Sequence, residues 1–186
     1  GHSYIVYGPL ALGATTMMYE GAPDYPHRGY VWELAEKHDV DIFHTSPTAV
    51  RLFMKWGEEH LKAYDLDFKL LASVGEPIQP EVWKWYYEHV GGGQAAVIDT
   101  WWQTETGGVL LSNLPALADM KPGSVGQPMP GIEATVIDDA GKEIEPGTGR
   151  AGNLVITRPW PGMLQTLYGD DERYIEEYWE AFSELD

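Results

Sequence analysis

KLLASVGEPIQPEVWKWYYEHVGGGQAAVIDTWWQTETGG, residues 69–108, decides the fold. KLLASV (69–74) reads as a buried strand. Gln79-Pro80 opens a helix, EVWKWYYEHV, and Gly91-Gly92-Gly93 ends it. AAVID (95–99) is the next strand. Strands separated by a helix of about ten residues imply a parallel sheet. Two polar loops follow these strands, Ser73-Val74-Gly75-Glu76-Pro77 and DTWWQTE (99–105). Ligands of open α/β sheets bind at the carboxyl ends of the strands, so both loops are expected to face one crevice.

The stretch DTWWQTETG (99–107) holds two adjacent indoles, three threonines, an amide and two carboxylates. Indole faces stack on purines or wall apolar pockets. Hydroxyls and amides bond phosphate oxygens or base edges, and a carboxylate holds Mg²⁺. In these roles Gly75 lets backbone approach a ligand, and Glu76 accepts from an adenine amine or ribose hydroxyl. Thr104 donates to a phosphate and Glu105 coordinates a phosphate-bridging Mg²⁺. The alternatives are structural: GEP as a strand-ending turn, Glu105 as a solvated carboxylate, and the indole pair as part of a core strand.

Outward from this region the same alternation continues. YVWELAEKH (30–38) is amphipathic, with Val31, Leu34 and Ala35 on one face. DIFHT (41–45) is a short strand. Ser46-Pro47 then starts a helix, Ser as N-cap and Pro at the first helical position, burying Ala49, Val50, Phe53 and Met54. Beyond about residue 115 glycine and proline become frequent, as in KPGSVGQPMPG (121–131). IEATVID (132–138) and GNLVIT (152–157) alternate as half-buried strands, so this half is expected to be antiparallel β, a small barrel or sheet. DERYIEEYWEAFSEL (171–185) is a helical tail with an acidic outer face. The expected division is an α/β subdomain over 1–115, carrying the site loops, and a β-rich subdomain over 116–186.

Composition narrows the function. The chain has 186 residues, 44% hydrophobic and 12% aromatic, with eight Trp and eleven Tyr, which argues for a packed core. No apolar run approaches the roughly 18 residues of a transmembrane helix. The start, GHSYIVYGPLALGATTMMYEG, has neither a basic n-region nor a signal-cleavage pattern, and it reads as the middle of a domain, hence a fragment. Absence of Cys excludes disulfides and Cys-ligated metals and fits a cytoplasmic protein. The formal charge of −17, from 29 acidic and 12 basic residues, argues against nucleic-acid and acidic-membrane partners. Such self-repulsion is best tolerated in high salt, where the Debye length is about 3 Å at 1 M, so salt adaptation is expected.

Two decoys are set aside. GTGRAG (147–152) fits GxGxxG, but a strand, not a helix, follows it, and the dinucleotide fingerprint needs a helix there. Asp138-Asp139 sits in a turn signal and reads as turn chemistry. Walker A, GxSxG and HExxH patterns are absent.

At GEP (75–77) and DTWWQTETGG (99–108) the chain resembles the AMP-forming acetyl-CoA synthetases, members of the adenylate-forming superfamily. HSYIVYGPLALGATTMMYEGAPDYP (2–26), TSPTAVR (45–51), LPALADMKPGSVGQPMPGI (114–132) and GNLVITRPWPGMLQTLYGDDERY (152–174) agree with it. The resemblance implies part of a large N-terminal domain: a parallel sheet with flanking helices, then an antiparallel β-barrel-like subdomain. It implies that acetate attacks the α-phosphate of ATP to give acetyl-adenylate and pyrophosphate, and that coenzyme A then displaces AMP. By the same resemblance Gly75, Glu76, Pro77, Asp99, Thr100, Trp101, Trp102, Gln103 and Thr104 line the nucleotide site, with Trp101 beside the base and Thr104 at the α-phosphate. Glu105 matches the magnesium-binding glutamate. Trp102 closes the floor of the acyl pocket and Val74 forms a wall, leaving room for acetate or propionate only.

The resemblance also implies that the phosphate loop and a Trp-Val-Thr stretch precede residue 1. The ribose aspartate and the small domain with the catalytic lysine follow residue 186. No catalytic residue is then expected in this chain, its partner is the remainder of a parent chain, and alone it is expected to be inactive and poorly soluble. A propionate-activating ligase and a non-catalytic nucleotide-binding module are the competing readings.

Overall fold

The computed structural model describes residues 2–180, which form two compact units. The first comprises residues 1–102 and 109–127, the second residues 103–108 and 128–186. In the first, a π turn (His2–Tyr7) leads into the short helix α1 (Gly8–Ala11), followed by α2 (Tyr30–Lys37) and β1 (Ile42–Thr45). Then come α3 (Pro47–Trp56), β2 (Leu70–Val74), α4 (Pro80–Trp85), β3 (Ala96–Trp101), β4 (Leu111–Ser112) and β5 (Gln127–Pro128). The sheet order is β1-β2-β3-β4-β5, with β1, β2 and β3 parallel and β4 antiparallel to β3. The expected parallel sheet is therefore mixed, because a short connection after β3 allows only an antiparallel return.

The boundaries follow local chemistry. Ser46 Oγ accepts from the Ala49 N–H at 3.3 Å and Pro47 occupies the first turn of α3, as the sequence predicts. Pro80 likewise opens α4, which widens into a π turn over Tyr86–Val90 before the glycines. In-register residues share a sheet face. Phe43, Leu71 and Val97 pack with Trp32 of α2, Val50 and Phe53 of α3, and Val82, Trp83 and Tyr86 of the α4 segment. Consecutive strand order with right-handed crossovers puts α3 and α4 on one face.

Of the residues predicted for α3, Val50 and Phe53 are buried, whereas Ala49 and Met54 are half-buried. In α2 the deepest side chain is Trp32, which the face Val31–Leu34–Ala35 omitted. Its ring lies 4.8 Å from Phe53 and 5.3 Å from Phe43, and burying an indole outweighs burying Val or Leu.

The second unit contains an antiparallel pair, β6 (Ala134–Ile137) and β7 (Asn153–Ile156), and the helix α5 (Asp171–Tyr178). The expected barrel is not closed: among the described residues this unit holds a two-stranded sheet, and RPWPG (158–162), with its two prolines, lies outside both strands. The predicted tail helix ends at Tyr178, capped at its start by Asp170, and residues 181–185 of that prediction lie outside the described residues. Asp138 is a turn hub, its Oδ1 accepting from the Ala140 and Lys142 N–H groups at 3.1 and 3.0 Å. GTGRAG leads directly into β7 and not into a helix. No helix among the described residues is long and apolar enough to cross a membrane.

Candidate functional site

Parallel pairing sets the carboxyl ends of β1, β2 and β3 along one edge of the first unit. The chain leaves β1 through Ser46-Pro47-Thr48, β2 through Gly75-Glu76-Pro77, and β3 through Trp101-Trp102. Gly75 has φ +96° with open space where a Cβ would sit, so glycine serves the left-handed backbone there and not a close neighbour.

Glu76 is engaged. Its Oε1 accepts from the Thr48 N–H at 2.9 Å and from the Thr48 hydroxyl, and its Oε2 accepts from Arg51 Nη2 at 2.8 Å. Arg51 also donates to Thr48 Oγ1 at 2.6 Å and to Gln79 Oε1 at 3.2 Å. The bonds from Thr48 and Arg51 hold the Glu76 carboxyl below its ordinary pKa, and the anion sits at the start of α3, where a helix favours negative charge. Pro77 is exposed beside it.

The remaining residues of this unit divide between the sheet faces. Val74 and Thr100 are in register on one face, and the Thr100 hydroxyl donates to the Ser73 carbonyl at 2.9 Å. Ser73 and Asp99 are in register on the other face, the one packed by helices. Asp99 is 7% exposed and Ser73 is fully buried; Asp99 Oδ1 and Ser73 Oγ lack a hydrogen-bond partner of good geometry. Burial raises the Asp99 carboxyl to a pKa of about 6, against the opposing pull of the Ser73 hydroxyl and the Thr100 backbone. Trp101 and Trp102 are both half-buried.

Gln103, Thr104 and Glu105 belong to the second unit. Gln103 and Thr104 are exposed, and Thr104–Thr106 form a 3₁₀ turn. The turn is fixed by buried Thr106, whose hydroxyl accepts from the Gln103 N–H at 2.9 Å and lies 2.8 Å from the Gly108 carbonyl. The Trp160 indole N–H donates to the Thr106 carbonyl at 2.8 Å. Gly107 has φ +70°, and a Cβ there would stand 2.5 Å from the Gly162 carbonyl oxygen. The Leu164 N–H donates to the Glu105 carbonyl at 3.2 Å, and the Tyr178 hydroxyl donates to Glu105 Oε1 at 3.1 Å. Desolvation, and then this bond, raises the Tyr178 phenol above its ordinary pKa.

For a divalent cation the donor set is sparse. No group of three or more His, Cys, Asp or Glu converges among the described residues. Glu105 offers a single carboxylate, which suits Mg²⁺, an ion often held by one or two carboxylates with phosphate oxygens and water completing its shell.

Residues 1–168 match the AMP-binding enzyme family. The chain belongs to that family. Its curated relatives include acetyl-coenzyme A synthetases of Rubrobacter xylanophilus, 56% identical over 187 aligned positions, and Streptomyces avermitilis, 54% identical over 183. These alignments cover 100% and 98% of this chain but 29% and 28% of those proteins. The chain thus spans under a third of the length of the AMP-binding enzymes it matches. An acyl-CoA synthetase of Brucella canis has a similar structure, with a TM-score of 0.70 and 34% identity over 82% of this chain and 27% of that one.

Thr48, Arg51, Trp160 and Tyr178, which hold the two loops, were not picked out from the sequence as site residues. Thr48 and Arg51 lie within TSPTAVR, and Trp160 within the stretch 152–174, so the family likeness marked their neighbourhood without their role.

Proposed function

We propose that this chain is the part of an AMP-forming acetate–CoA ligase that binds the adenine nucleotide and closes a short acyl pocket. The supporting observation is the identity above 50% across the whole chain to acetyl-coenzyme A synthetases, with DTWWQTETG at the end of β3. The parent enzyme joins acetate to the α-phosphate of ATP, releasing pyrophosphate, and passes the acetyl group to coenzyme A with release of AMP. Such a reaction works through positioning and charge stabilisation. Gly75, Glu76, Pro77, Asp99, Thr100, Trp101, Trp102, Gln103 and Thr104 line the nucleotide. Val74 and Trp102 bound the acyl group, and the Glu105 carboxylate holds Mg²⁺ against the phosphates.

The remainder of the parent chain supplies the catalytic lysine, the 186 residues alone give no turnover, and the enzyme works in the cytoplasm. Residues 1–115 act as the α/β subdomain and 116–186 as part of a barrel completed elsewhere.

The test is acid-dependent ATP–pyrophosphate exchange by the parent chain with acetate, propionate and butyrate, alongside Trp102→Gly. Exchange with acetate, absent with butyrate and regained with butyrate in the Gly variant, is expected. One methylene is worth about 1–3 kcal/mol, so some propionate turnover accompanies it. Equal or better use of propionate would reassign the substrate. Absence of exchange with every acid would leave a non-catalytic nucleotide-binding module.

A further inference from the structure

The five polar contacts among Thr48, Arg51, Glu76 and Gln79 form a closed arrangement. Arg51 Nη2 donates to both Thr48 Oγ1 and Glu76 Oε2, Thr48 in turn donates through its hydroxyl and its N–H to Glu76 Oε1, and Arg51 Nη1 reaches Gln79. Glu76 is the second residue of the loop after β2, and Gln79 is the N-cap of α4 that closes it. One guanidinium therefore holds both ends of a loop whose first residue, Gly75, adopts a left-handed backbone. Both carboxylate oxygens of Glu76 are engaged by α3, Oε1 by Thr48 in its first turn and Oε2 by Arg51 beyond it. At exposed Gly75 there is open space where a Cβ would sit, so the loop's backbone is accessible to a ligand there.

We infer that Arg51 is a positioning residue for the nucleotide site: with Thr48 it holds Glu76 against α3, so that the loop meets a purine nucleotide through main-chain groups and not through the Glu76 carboxylate. This rests on the nucleotide-binding reading above. Lysine is a poor substitute, because a single ammonium on a flexible stem does not fork to Glu76 and Gln79 together.

If Arg51 and Glu76 act only through each other, removing either one frees the same loop, and removing both does no further harm. The experiment measures calorimetric AMP affinity, and the KM values for ATP and acetate, in the parent chain and in Arg51→Ala, Glu76→Ala and the double variant. Expected is a loss of about tenfold in AMP affinity, with a matching rise in ATP KM, for each single variant. The double variant should lose the same about tenfold, and acetate KM should stay within about twofold. Arg51→Lys should recover only part of the loss.

A double variant about a hundredfold weaker, the product of the singles, would mean that Glu76 touches the nucleotide itself and would overturn the proposal. So would an Arg51→Ala enzyme with unchanged AMP affinity, or one with ATP and acetate KM raised alike. If Arg51→Ala does not fold, Thr48→Val decides: it keeps the N–H bond and loses the hydroxyl, so AMP affinity should fall about threefold, and no change would refute the arrangement. Wild-type chain that binds AMP without exchange would end the ligase reading while leaving the variants able to judge Arg51. Wild-type chain that does not bind AMP would end both.

Discussion

The two units are held together by different means. The first is built on an aromatic core in which Trp32, Phe53, Trp83 and Tyr86 close over Leu71 and Val97. In the second, Ile137 and Ile144 are the buried apolar side chains among the described residues, and order comes from turns. Asp138 gathers two backbone N–H groups and Arg150, and Trp160 and Tyr178 tie down the 3₁₀ turn of Thr104–Thr106. Their site loops differ in the same sense. Glu76 is fixed by three bonds including a guanidinium, whereas the Glu105 carboxylate is held by one exposed phenol. Few buried apolar contacts mean a low local opening free energy, so the second unit is the part expected to open first.

The sharpest way to break this comparison is to empty each core. Trp32→Ala should cost about 3–5 kcal/mol in urea unfolding, because a 2% exposed indole between two phenyl rings leaves a cavity. Ile144→Ala should cost about 2 kcal/mol, the low end for such a truncation, because its surroundings can relax. Equal losses would mean that the second unit is as tightly packed as the first.

The folded pKa of Asp99, about 6, lies above the ordinary 3.8, so the folded chain binds the extra proton between these values. Stability from this group is present below pH 3.8 and lost as pH rises through 6, by about 3 kcal/mol. His44 acts oppositely: burial lowers it to about 4 from 6.5, so its contribution is present above 6.5 and lost as pH falls through 4. Asp99→Asn should therefore raise stability at pH 7.5, and its melting temperature should fall steadily on acidification from 6.5 to 4. A variant profile parallel to the wild type would show that Asp99 carries no such cost.

A smaller effect, about 1 kcal/mol, is expected for Ser46→Ala, which removes the α3 cap from the Ala49 N–H. Its counterpart, Asp138→Ala, should speed hydrogen exchange at the Ala140 and Lys142 amides and leave β2 and β3 amides protected. Faster exchange in both places would join the two units into one cooperative block. Smallest per residue is the charge. With a formal −17, the melting temperature is expected to rise between 0.1 and 3 M KCl, and a flat response would remove the salt-adaptation reading.

Much of the first unit was legible because its signals are local. Ser46-Pro47, Gln79-Pro80 and the three glycines punctuate the chain through dihedral limits and capping that act within a few residues. Thr48 and Arg51 were not, since their bonds to Glu76 span 28 and 25 positions and leave no periodic trace. Tyr178 and Glu105 are separated by 73. Trp32 escapes the α2 pattern because aliphatic spacing alone marks Val31, Leu34 and Ala35. In the second half, alternation located β6 and β7, but alternation alone does not tell a barrel from a hairpin-like pair.

The strand order of the first sheet has a bearing on how the protein is made. β1, β2 and β3 lie side by side in the order in which they are translated, so each parallel strand can dock onto one already in place as the chain leaves the ribosome. Because every pairing is with the preceding strand, the scaffold grows by short chain closures instead of waiting for a distant partner. β3 arrives last of the three and carries Asp99, Thr100 and Trp101 with it. A nascent chain halted before Ala96 would therefore already own the Arg51 clamp and still lack the adjacent indoles of Trp101 and Trp102.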